Sequence, residues 1–285
     1  VPAVQSVPSE LTPLPPLQTP LAEALPELER AARLGNARAA CRIGLALNRC
    51  RLFAEMSGVG QAGRLAELIE QRAVDGARSP GEAERELDRG LRTLRMIEEQ
   101  AQKDRVYCAG VDPARFREID RWQFMAATNG SLFAIDTVLG GSLLTSPYLL
   151  DNLDLLERYR DEAPAMIERG LRQGAERLPR LLFDAHVPPA GLRFGLLAQV
   201  VRRDAVTAHA LLFLLENEPD RPAWMKTPSI DRSNLPRITP EQAKEAQALA
   251  TTWIEERRRY REARQAAMAR AGISEAERRE DPCLD

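Results

Sequence analysis

The chain has 285 residues, 42 acidic and 40 basic side chains, and a formal net charge of −2. That length buries a core without help from a metal or a staple, and a charge this balanced gives no reason to expect nucleic acid or an anionic membrane as the main partner. No run of 18 apolar residues is present, so no transmembrane segment is expected; the nearest stretch, Ser131 to Leu150, is interrupted by Asp136, Gly140, Gly141 and Pro147 and reads as buried structure of a soluble fold.

Residues 1–20, VPAVQSVPSELTPLPPLQTP, hold six prolines and no helical periodicity, which reads as a disordered, semi-rigid spacer. Spacers of this kind follow a cleaved signal peptide or a membrane anchor, and the chain opens on Val1 in place of Met, so an earlier segment is expected to have been removed. From residue 21 onward apolar residues return every three or four positions, and alternating β-branched runs are almost absent. The fold is therefore read as all-α, with antiparallel helix pairs in a compact or short solenoid-like array and a long C-terminal helix. Helices are predicted over 21–34, 37–48, 62–73, 80–104, 113–128, 147–159, 162–173, 176–185, 190–202, 205–216 and 240–271. Ser79-Pro80-Gly81-Glu82, Thr239-Pro240-Glu241-Gln242 and Ser274-Glu275-Ala276-Glu277 each set a hydroxyl three residues ahead of Glu or Gln, the reciprocal capping pattern. Asp112-Pro113 and Ser146-Pro147 supply further N-termini. Residues 21–218 form a helical-repeat-like domain, 219–239 a proline-rich irregular linker, and 240–285 a C-terminal helical segment packed on the domain. Leu28 to Gly35 is echoed by Ile167 to Gly174, and Asp204, Ala208 and Leu212 repeat the spacing of Gly35, Ala39 and Ile43.

The four cysteines, Cys41, Cys50, Cys108 and Cys283, are disulfide candidates and point to an oxidising, extracytoplasmic compartment. On one continuous helix Cys41 and Cys50 stand about 13 Å apart along the axis and face opposite sides, whereas a disulfide holds its α-carbons within roughly 7 Å. Each is therefore expected to reach Cys108 or Cys283 and not the other. No Cys-x-x-Cys occurs, so zinc and thioredoxin-type chemistry lack their spacing. Gly58-Val59-Gly60-Gln61-Ala62-Gly63 fits a dinucleotide loop, but no buried strand precedes it and it reads as an interhelical loop. His186 and His209 have apolar neighbours and no nucleophile context, and the carboxylate pairs Asp151 with Asp154 and Glu255 with Glu256 read as solvated helix faces. No cofactor and no metal site are expected.

Two regions are candidates for binding. Trp122 and Phe124, ahead of the apolar 131–150 stretch, and Trp224 in the linker are large aromatic groups that would anchor a partner wherever they are exposed. On the last helix Arg257, Tyr260 and Arg261 belong to a stretch, 253–272, with six arginines against three glutamates, a partner-docking or ion-paired face rather than a phosphate-contacting one.

Ala31-Ala32-x-x-Gly35-Asn36-x-x-Ala39-x-x-x-Ile43-Gly44 resembles the Sel-one-like repeats of the tetratricopeptide superfamily, in which alanines let two helices cross closely and a glycine turns the chain between them. The resemblance implies protein or peptide binding on a concave face, often in envelope or secreted proteins, and carries no catalytic residue. The expected function is a non-enzymatic, periplasmic or secreted scaffold for a protein or peptide partner. The alternatives are a helical enzyme with acid-base carboxylates in an inter-helix cleft and a structural subunit of a larger envelope assembly.

Overall fold

A computed structural model describes residues 13–56, 67–69, 71, 72, 75, 79–187, 195–218 and 234–284. Among these residues the chain is helical throughout, with no strand. α1 (Leu21–Arg33) and α2 (Ala37–Met56) form a hairpin. The chain reverses at Gly35, whose φ of 91° lies in the left-handed region, open to glycine at no steric cost. The Gly35 amide donates to the Ala32 carbonyl (2.9 Å) and the Asn36 amide to that of Ala31 (3.1 Å), the paired bonds of a Schellman ending. Asn36 Oδ1 then accepts from the Ala39 amide at 2.9 Å and opens α2.

The same device recurs between α4 (Ile119–Asn129) and α5 (Leu132–Leu139). Gly130 has φ 110°, its amide and that of Ser131 bond the carbonyls of Ala127 and Ala126 (3.1 and 2.9 Å), and Ser131 Oγ accepts from the Ala134 amide. Ala126-Ala127-x-x-Gly130-Ser131-x-x-Ala134 matches the first turn position for position, a correspondence that the echoes at 167 and 204 do not include. The two hairpins pack through α2 and α4. They touch closely at Gly44, where a Cβ would stand 2.7 Å from Gln123 Nε2.

Between α2 and α4 lies α3 (Pro80–Tyr107), followed by a 3-10 turn, Pro113–Glu118. No described side chain of α3 is fully buried. Its end is held to α2 by the Cys50–Cys108 disulfide, with α-carbons 5.4 Å apart, by an Arg49 to Asp104 ion pair at 2.5 Å, and by the Arg49 guanidinium over the Tyr107 ring. After α5 come α6 (Ser142–Thr145), a 3-10 turn (Leu149–Asn152), α7 (Leu153–Gln173), α8 (Leu178–His186), α9 (Leu196–Val200) and α10 (Ala205–Asn217). The long α11 (Pro240–Arg270) runs along α10 and α7. It is followed by α12 (Glu275–Glu280) and a 3-10 turn, Pro282–Leu284.

Several boundaries differ from the periodicity. The helix predicted over 113–128 divides into the 3-10 turn, whose start Asp112 caps through the Ala114 amide, and α4. Predicted helices 147–159 and 162–173 are one, α7, which continues through Pro164. It does not begin at Pro147: Ser146 Oγ accepts the Tyr148 amide (3.1 Å) but a 3-10 turn follows, and its hydroxyl donates to the buried Asp120 (2.5 Å), which Asn152 also approaches. Thr239 and Ser274 both form reciprocal capping boxes, whereas Ser79 makes no side-chain cap bond. Of the helix predicted over 62–73, the described residues 67–69, 71 and 72 are helical, and Ile69 packs on Gly90 of α3. Of that predicted over 190–202, residues 195–202 are described, and only Leu196–Val200, α9, is helical among them.

The Ser131 to Leu150 stretch is core only as far as Leu143; beyond it Leu144 and Leu150 are exposed, against the expectation of buried structure throughout. Ile135, Val138, Leu139 and Leu143 are buried in it, beside Leu28 and Ile43 of the first hairpin and Tyr159 and Met166 of α7. No helix of the described residues is long and apolar enough to cross a membrane.

Candidate functional site

Four segments far apart in sequence converge on an open groove of about 430 Å³. Its floor is apolar: Leu132 and Phe133 from the start of α5, Met268 from α11 and Leu284 from the chain's end. Tyr260, Arg264 and Met268 lie four residues apart on α11 and so share one helix face. Gly174, in the turn after α7, also lines the groove, with φ 97° and nothing within 4 Å of where a Cβ would be.

The far wall is the C-terminal segment, contributing Glu275, Arg278, Arg279 and Asp281. Little buried surface fixes α12, none of whose residues is buried. Covalent and ionic ties hold it instead. Cys283 is bonded to Cys41 of α2, with α-carbons 5.8 Å apart, and buried Asp281 accepts from Arg38 Nε (3.0 Å) and Nη2 (2.9 Å). The two disulfides therefore join Cys41 to Cys283 and Cys50 to Cys108, and neither joins Cys41 to Cys50.

Charge around the groove is uneven. Glu218, at the end of α10, is shared by Arg257 and Arg261, and Asp281 lies between Arg38 and the half-desolvated Arg42, whose pKa burial lowers while Asp281 raises it. Arg279 pairs with Glu275. Arg278 and Glu176 line the groove with no ion pair among the described residues.

Asp136, at the back of the groove, is 7% exposed. Its Oδ2 accepts from the Arg177 amide at 2.9 Å, so a carboxylate on α5 caps the first turn of α8, where the helix dipole favours negative charge. Oδ1 is buried with no hydrogen-bond partner among the described residues. Burial pushes its pKa up to about 6, against the lowering pull of the Arg177 and Leu178 amides. The sequence marks Asp136 only as a charge inside an apolar stretch; its partner lies 41 residues further on.

The expected binding residues divide. Tyr260 and Arg261 line the groove. Arg257 does not: it is 2% exposed and is a structural tie, as its bonds to Glu218 and to the Leu171 and Ala175 carbonyls show. Trp122 is buried with its indole N–H on Glu118 Oε2 (3.1 Å), and Phe124 is fully buried. Both sit on α4, which α2 and α7 cover from either side, so neither is offered to a partner here. Trp224 and the Gly58 to Gly63 loop lie outside the described residues.

The acid-base candidates are engaged elsewhere. Asp151 and Asp154 pair at the surface with Arg117 and Arg121, and Glu255 and Glu256 with Arg259 and Arg172. His186 is buried, its pKa lowered by desolvation, with Nδ1 accepting the Asp204 amide at 3.1 Å. His209 Nε2 meets the Pro236 carbonyl. Among the described residues no three His, Cys, Asp or Glu side chains are grouped to hold a metal ion. No family model, no curated protein and no solved structure matches the chain.

Proposed function

We propose that this chain is a non-enzymatic, extracytoplasmic scaffold that holds a peptide segment of a protein partner in the groove between α5, α11 and the C-terminal segment. The observation that carries this reading is the wall itself: a segment with little buried surface of its own is fixed across the groove by a disulfide and a buried ion pair. Such bracing preorganises a surface for binding, lowering the ordering cost that association otherwise meets. An apolar floor with a polar rim is the anatomy of protein interfaces. Two disulfides accord with an oxidising compartment. The Sel-one-like reading of the hairpins is supported by two turns built alike at Gly35 and Gly130.

The test is capture of a partner from the native extracytoplasmic extract by the wild-type chain and by Gln265→Trp. Gln265 is exposed and lines the groove, so an indole there fills it without touching the core. A partner retained by the wild type and lost with the variant, at unchanged thermal stability, supports the reading. Equal retention by both overturns it.

A further inference from the structure

Arg42 of α2 is only 7% exposed, yet its guanidinium donates no hydrogen bond and joins no ion pair among the described residues. A charge taken that far out of water is costly unless something compensates it. We propose that Arg42 and the Tyr107 hydroxyl form a site for one small oxyanion, a carboxylate or a phosphate group. The site is separate from the groove, which neither residue lines, and it does not depend on the peptide-binding reading.

The charges at this place do not balance. Arg38, Arg42 and Arg49 stand four and seven residues apart and share one face of α2. Two carboxylates meet these three arginines. Asp104 is bonded to Arg49. Asp281 acts on Arg42 across space, but its oxygens bond Arg38 and the Cys283 amide. Glu277, which feels Arg38, accepts from the Ser274 amide and hydroxyl instead. The unmatched positive charge is that of Arg42.

A second donor is idle beside it. The Tyr107 hydroxyl lies close enough to Arg42 for the two to interact electrostatically, and it makes no hydrogen bond among the described residues either. Burial raises its pKa, so it keeps its proton. The sealed, unbonded side-chain atoms of the described residues belong to Gln123, Asp136, Tyr159 and Arg180, so the Arg42 nitrogens and the Tyr107 oxygen reach solvent. They do not bond each other; an oxyanion between them accepts from both. The surroundings are fixed in advance. Cys41, next to Arg42, is bonded to Cys283 and so ties Asp281 in place, and Cys108, next to Tyr107, is bonded to Cys50. A guanidinium fork held this way suits the paired oxygens of a carboxylate or phosphate better than a spherical halide, and so narrow an opening admits a small ion and not a polyanion.

The test follows the arginine Nε–Hε resonances of the isotope-labelled full chain, with Arg42 assigned by the resonance lost in Arg42→Lys. Sodium acetate, sodium phosphate and sodium chloride are titrated at matched ionic strength. Acetate or phosphate is expected to shift the Arg42 resonance to saturation and chloride is not. Tyr107→Phe, which removes only the hydroxyl, is expected to weaken that binding about tenfold. Saturation by acetate alone assigns a carboxylate, by phosphate alone a phosphate group, and by both a general oxyanion site. Thermal unfolding in the same salts gives a second reading: the bound oxyanion raises the wild-type midpoint above that in chloride and raises that of Tyr107→Phe less. No saturable shift of Arg42, a chloride shift equal to the others, or unchanged affinity in Tyr107→Phe overturns the proposal.

Discussion

Arg257 of α11 and Glu218 at the end of α10 form a two-bonded ion pair out of water, Nε to Oε1 at 2.8 Å and Nη2 to Oε2 at 3.2 Å. The guanidinium also donates to the Ala175 carbonyl from both terminal nitrogens and to that of Leu171. One side chain thus joins α11, α10 and the end of α7, whose final carbonyls have no helical partner.

Removing that guanidinium leaves the buried Glu218 carboxylate with Arg261 alone and takes the donor from the Leu171 and Ala175 carbonyls. Arg257→Ala is expected to cost about 3–5 kcal/mol, read as the shift in unfolding free energy in urea. Arg257→Lys cannot supply the fork and recovers only part of the loss. A loss below about 1 kcal/mol for the alanine variant, the range of an exposed ion pair, would contradict this role.

Asp136 makes stability depend on pH. A carboxyl whose folded pKa is raised from 3.8 to about 6 binds its proton more tightly folded than unfolded. Its contribution is most favourable below 3.8 and is lost as pH rises through 6, by roughly 3 kcal/mol at the limit. Asp136→Asn keeps an oxygen for the Arg177 amide and removes the titration. The wild type minus this variant, in unfolding free energy measured from pH 4 to pH 7, is therefore expected to fall with rising pH. His186, with its lowered pKa, acts in the opposite sense in both proteins and cancels from the difference. A flat difference would contradict the assignment.

The two disulfides close loops of very different length, with sequence separations of 242 and 58. Each is expected to contribute about 2–4 kcal/mol. Their local effects differ. Cys41→Ser with Cys283→Ser frees the C-terminal wall, so limited proteolysis followed by mass spectrometry should show first cuts after Gly272. Cys50→Ser with Cys108→Ser instead exposes α3. Identical cleavage patterns in the two double variants would contradict the separation of roles.

Gly35 and Gly44 are required for different reasons. Gly35 has a left-handed φ and open space around it, so Gly35→Ala costs backbone strain, about 1–2 kcal/mol, and Gly35→Asn, which tolerates that region, costs less. At Gly44 the α2–α4 contact is the constraint, and Gly44→Leu overpacks it by about 1–3 kcal/mol. Chemical denaturation of the three variants checks the order; Gly35→Asn as costly as Gly35→Ala would contradict it.

What the sequence made legible was local. The reversal at Gly35, the capping boxes at Thr239 and Ser274, and the inability of Cys41 to meet Cys50 all follow from residues within a few turns of one another. Ala126 to Ala134 carried the same turn in plain view, but Thr128, Leu132 and Phe133 stand where the first copy has Arg33, Ala37 and Arg38, so the small-residue pattern is less conspicuous. The groove was half legible: Tyr260 and Arg261 belong to it, while Arg257, on the same arginine-rich stretch, faces inward because Glu218 and two carbonyls await it there. Asp136 as a cap for α8, and the C-terminal segment as a wall, depend on contacts 41 and 242 residues apart, which no local spacing encodes. Trp122 and Phe124 were conspicuous for their size, and size equally suits a helix buried on both sides.

Site-specific photo-cross-linking tests the central claim most directly. A benzophenone side chain placed at Gln265, in the groove, is compared with one at Leu150, which is 81% exposed and does not line it. After irradiation in native extracytoplasmic extract, the account predicts a discrete covalent adduct with one partner from position 265 and none from 150. An adduct from position 150 with none from 265 would contradict it.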